Sequence, residues 1–119
     1  MNFLLVALGG ALGASARYGV GLAVARVLGS AAFPWATLFV NVAGGLAMGV
    51  LAARVGPENE STRLLLGVGI LGGFTTFSAF SLETVRLAQT HAASALFYVL
   101  ASFILSVGAC WIGLTLGRP

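Results

Sequence analysis

The chain contains no lysine and no aspartate. Its charge rests on six arginines and three glutamates, and only 8% of its 119 residues are charged. A water-soluble domain of this length carries charge on about a quarter of its residues. The scarcity therefore excludes a surface that faces water all round. The net charge of +3 gathers into no basic cluster, so nothing here has the footprint of nucleic-acid binding. Cysteine occurs once, as Cys110, within an apolar run. It forms no internal disulfide and has no companion ligand for a metal. It reads as a small apolar residue rather than a reactive thiol. The start, Met1 to Leu5, lacks the basic flank of a cleaved signal peptide and reads as part of the first helix.

What is present is apolar. Hydrophobic residues make up 59% of the chain, and the mean hydropathy is +1.03. Four long apolar runs cover residues 2–28, 34–53, 64–89 and 92–116. Each is close to the roughly 20 residues that span a bilayer core. They are too long for strands, and open sheet edges do not survive in lipid. The expected fold is an all-α membrane protein with four transmembrane helices, residues 1–119 forming one integral membrane domain. Pro34 suits a first-turn position. The clearly polar loop is Arg54 to Arg63, with Glu58 and Glu60. Arginines near the loops divide three against two: Arg54, Arg63 and Arg118 on one side, Arg26 and Arg86 on the other. So weak a bias chooses no orientation.

Function in such a chain belongs to polar groups at membrane depth. Gly9, Gly10 and Gly13, Gly45 and Gly49, and Gly69 and Gly73 form small-residue faces that allow close helix approach. Four helices alone would leave such faces unmatched, which points to an oligomer. In the third run, Gly72 and Gly73 precede β-branched Thr75 and Thr76, a weak stretch for a helix. Either the helix breaks there, freeing carbonyls that could hold a small hard cation, or it runs straight with hydroxyls bonded back to their own turn. Phe77 and Phe80 share a face, as do Ser78 and Ser81. Phenylalanine edges carry partial positive charge and can favour an anion weakly. Asn41 is either glue between helices or part of a path. Tyr98, Ser102 and Ser106 recur at four-residue spacing and form a hydroxyl stripe. Arg17 needs a cavity, a partner or the interface. Glu83, three residues before Arg86, reads as half of an interfacial ion pair.

Three motifs carry a resemblance: Gly9-Gly-Ala-Leu-Gly-Ala-Ser-Ala-Arg17-Tyr18, Thr37-Leu-Phe-Val-Asn41-Val-Ala-Gly44 and Gly72-Gly-Phe-Thr-Thr-Phe-Ser-Ala-Phe-Ser-Leu-Glu83. With these three motifs in order, the chain resembles, over nearly its whole length, the Fluc (CrcB) family of microbial fluoride channels. The resemblance implies an antiparallel, dual-topology homodimer in the inner cell membrane and no enzymatic activity. It implies a broken third helix and a structural sodium ion held by the carbonyls of Gly72 and Thr75 from both subunits. Its fluoride pathway would use Asn41, Phe77, Ser78, Phe80, Tyr98, Ser102 and Ser106, with Arg17 at the vestibule and Glu83 ending the motif. Ala79 departs from the threonine common in the motif, with a small expected effect. The runner-up is a small multidrug exporter, which needs a carboxylate in the first helix. This one carries only Arg17.

Overall fold

All 119 residues, Met1 to Pro119, are described by a computed structural model. Prolines mark where helices cannot continue. Pro34 lies just ahead of the second helix, Pro57 in the polar loop and Pro119 at the end. Between them run α1 (Asn2–Leu28), α2 (Trp35–Arg54) and, at the end of the chain, α5 (Ala92–Gly117). Gly29 closes α1 with φ of 66°, a left-handed value that glycine adopts without a Cβ clash. Pro34 precedes the first helical turn instead of lying in it.

The third span covers Glu60–Thr90 and is composite. It starts earlier than the apolar run, with a turn at Glu60–Thr62, continues as a π-helix over Arg63–Leu71, and ends in a turn at Gly72–Phe74. These three pieces are α3. Thr75 and Thr76 then take extended backbone, with ψ of 157° and 126°, before α4 (Phe77–Thr90). Gly72 remains helical at φ −63° and ψ −37°. The threonines, not the glycines, leave the helical path. The Thr76 hydroxyl accepts from the Ala79 N–H at 3.1 Å and caps α4.

The interior is small. Its buried apolar residues are Leu38, Val40, Leu87 and Ala95 with Tyr98. Large apolar side chains point outward instead, Phe3 at 93% exposure and Trp111 at 75% among them. Of 94 backbone hydrogen bonds, 83 lie within helices, which is how a backbone manages without water. Four helical spans are long and apolar enough to cross a membrane. The chain is a multi-pass membrane protein.

Two glycine seams hold the helices together. On the first, a Cβ at Gly9 would lie 2.8 Å from the Gly69 Cα, and one at Gly13 would lie 2.8 Å from the Phe74 amide nitrogen. On the second, a Cβ at Gly45 would lie 2.8 Å from the Ser106 carbonyl, and Gly49 and Gly113 press on backbone across the same seam. Bare backbone meets bare backbone, so dispersion contacts replace the hydrophobic drive that lipid does not supply. These glycines are used inside the chain. The faces that stay open belong to others: a Cβ at Gly10, Gly19, Gly21 or Gly108 would meet nothing within 4 Å.

Candidate functional site

The extended pair Thr75–Thr76 sets the site. Asn41, near the middle of α2, faces it across 35 residues of sequence. Its Nδ2–H donates to the Thr76 carbonyl at 3.0 Å, and its Oδ1 accepts from the Thr76 N–H at 2.8 Å. One amide thus satisfies both backbone groups that the lost helix leaves unpaired. From the other side, Arg17 of α1 donates Nε–H to the Gly73 carbonyl at 3.1 Å. The Thr75 hydroxyl donates back to the Leu71 carbonyl at 2.8 Å. Gly44 leaves room for the Thr75 methyl, where any Cβ would collide with it.

A cavity of about 610 Å³ opens beside this pair. Asn41, Thr75, Thr76, Phe77, Phe80, Ser102 and Ser106 all line it, with Gly44 and Gly45 beneath. The Ser102 and Ser106 hydroxyls are buried and have no hydrogen-bond partner in the chain. Serine on a helix usually bonds back to its own turn, and these two do not. The Phe77 and Phe80 rings lie 5.5 Å apart, tilted at 44°. No charged side chain lines the cavity.

Other expected site residues lie nearby but not on it. Tyr98 is fully buried behind Phe80, with ring centroids 5.1 Å apart, so it buttresses that ring. Ser78 is exposed, and its hydroxyl lies 3.3 Å from that of Thr76. Glu83 is not paired with Arg86. Its carboxylate accepts the Thr37 hydroxyl at 2.8 Å and the Tyr98 hydroxyl at 3.1 Å. Tertiary packing brings one neutral donor to each oxygen, while Arg86 stays exposed. Thr37 and Gly44 both sit in the Asn41 motif, and no spacing or periodicity in the sequence marks either as part of the site. Gly72 is exposed, and a Cβ there would meet only the Gly67 carbonyl at 3.6 Å.

The family model described as "CrcB-like protein, Camphor Resistance (CrcB)" matches residues 4–114. The chain belongs to the CrcB family. Among its curated relatives, a protein of Caulobacter sp. (strain K31) is 54% identical over 98% of this chain and 94% of its own length. Relatives from Rhodospirillum centenum and Paracoccus denitrificans are each 52% identical, over 97% and 98% of this chain and 94% of their own lengths. All three are named "Fluoride-specific ion channel FluC". The family is therefore one of channels and not of enzymes.

Proposed function

We propose that the chain is one subunit of a passive, fluoride-specific channel in the inner cell membrane. The observation that carries the reading is the pair of orphaned hydroxyls, Ser102 and Ser106, in a cavity walled by Phe77, Phe80 and Asn41. A buried donor without a partner costs about 1–3 kcal/mol. Two in one cavity call for an acceptor that the chain does not supply. The relatives are named fluoride-specific ion channels, which supports fluoride as that acceptor.

The chemistry suits it. Fluoride is small and strongly hydrated, so a path must replace its water with donors yet release it again. Ser102 and Ser106 offer O–H donors, and the second N–H of Asn41 is left over after its bond to Thr76. The edges of Phe77 and Phe80 add weak positive potential without a fixed charge. A lining arginine would trap the anion. Tyr98 aims Phe80 from behind, Ser78 sits beside the Thr76 cap, and the Glu83 carboxylate is held away by Thr37 and Tyr98.

The cavity is open on one side, with Phe77 79% exposed. A second, antiparallel copy would close it and give an eight-helix, dual-topology homodimer set in lipid. The interruption of the third helix at Thr75–Thr76 suits the meeting point of the two copies. A structural sodium ion also fits there. None of the hydrogen bonds outside the regular helices ends on the carbonyls of Gly72 or Thr75, and no side chain donates to them. Both carbonyls are thus free for a hard cation, two from each subunit, with no carboxylate needed. The sodium charge would make the membrane midplane hospitable to an anion.

Purified protein in liposomes tests the function. Fluoride should leave down its gradient while chloride stays behind. Equal leakage of both ions would refute the reading. A proton-coupled drug exporter finds no support, because α1 holds no carboxylate.

A further inference from the structure

Five carbonyls, Gly72 to Thr76, border the point where the third span leaves the helix. Two are occupied from within the chain. Arg17 Nε–H holds that of Gly73, and Asn41 Nδ2–H holds that of Thr76. No hydrogen bond outside the helices ends on those of Gly72, Phe74 or Thr75. We infer that Arg17 is a positioning residue for the sodium site: by taking the Gly73 carbonyl it fixes which carbonyls stay open to the cation. This rests on the proposed sodium ion, and it concerns how the chain prepares that site.

The choice of arginine supports the inference. Arg17 lies near the middle of α1, where a charge is costly and has to serve a purpose. Charge is not that purpose toward a cation, because a guanidinium so close to the site repels it. The useful feature is the side-on Nε–H, which lysine lacks. The bond spans 56 residues of sequence and ties α1 to the segment between Gly72 and Thr76. The glycine seam reinforces the tie: a Cβ at Gly73 would lie 2.7 Å from the Gly10 carbonyl. Backbone contact and the arginine together hold α1 against this turn. Without the Nε–H, the Gly73 carbonyl loses its only side-chain donor, and the segment shifts to find another.

The two roles of the guanidinium give opposite signs. If only its charge mattered, Arg17→Ala would tighten sodium binding and Arg17→Lys would leave it unchanged. If its Nε–H positions the carbonyls, both substitutions weaken it. The experiment is thermal unfolding of the dialysed, detergent-solubilised full chain, with sodium chloride titrated against N-methylglucamine chloride at constant ionic strength. The unmutated protein should be stabilised by sodium. The midpoint sodium concentration should rise tenfold or more in both R17A and R17K. A midpoint that is unchanged or lower in either variant overturns the inference. Absence of any sodium effect in the unmutated protein is a different result. It removes the sodium reading itself, and the role of Arg17 with it, while leaving fluoride efflux to its own assay. Where a variant yields no folded protein, the Arg17 Nε–H resonance of the unmutated protein decides. It should shift with sodium at the stabilisation midpoint, and a resonance indifferent to sodium overturns the inference.

Discussion

Asn41→Leu keeps the branched outline of the side chain but removes the two hydrogen bonds that secure Thr76, along with the spare N–H that faces the cavity. The Thr76 N–H and carbonyl bonds, at 2.8 and 3.0 Å, are both lost. Leaving one buried polar group unpaired costs about 1–3 kcal/mol in water-soluble proteins. Between membrane helices the mean measured value is nearer 0.6 kcal/mol, because the unfolded chain also finds partners. Two bonds between these limits give a loss of about 2 kcal/mol. Asn41→Asp divides the effect. It keeps an acceptor for the Thr76 N–H and sets a carboxylate oxygen against the Thr76 carbonyl. Its loss should match or exceed that of N41L. Unfolding in detergent or bicelles gives the stability, and fluoride efflux from liposomes gives the function. A barrier raised by the full 2 kcal/mol slows flux roughly thirtyfold. Flux alone does not separate a lost pathway donor from a displaced Thr76, so stability is decisive. N41L with unchanged stability would refute the account of Thr76 as held by Asn41.

Four further outcomes follow from the same geometry. Ser102→Ala removes a buried hydroxyl that has no partner, so stability should be unchanged or rise by up to about 1 kcal/mol while fluoride efflux falls. Lower stability with normal efflux would show the hydroxyl to be structural. Phe80→Ile should cut efflux strongly and leave the size-exclusion elution volume unchanged, and wild-type efflux would end the ring-edge argument. Gly44→Ala places a methyl against that of Thr75 and should destabilise by about 1–3 kcal/mol, read by thermal unfolding, whereas a neutral result would mean that Thr75 moves freely. Thr37→Val should free one oxygen of Glu83 and slow efflux, an effect that the double substitution with Glu83→Gln should largely reverse, and no reversal would mean that the carboxylate charge is not what Thr37 restrains.

Composition and the length of the apolar runs were enough to establish the solvent and the count of spans. Four apolar runs and nine charged residues leave a bilayer as the only medium for the surface, and their ends match the helices to within a few residues. The three motifs were enough to place the chain in its family. Helical spacing also put Ser102 with Ser106 and Phe77 with Phe80, since neighbours on one helix face follow from 3.6 residues per turn. Which groups meet depends on how the helices pack. Arg17 finds Gly73 and Asn41 finds Thr76 across 56 and 35 residues, and no periodicity within one helix encodes the neighbour that a face will touch. Glu83 shows the same limit. Local spacing favoured Arg86, but packing delivered the hydroxyls of Thr37 and Tyr98. The π-helical stretch before Gly72 and the helical state of Gly72 itself were illegible for a related reason. Intrinsic propensity makes glycine the weak point, yet close backbone packing of Gly9 and Gly13 on α3 holds that segment helical and passes the change of direction to Thr75 and Thr76.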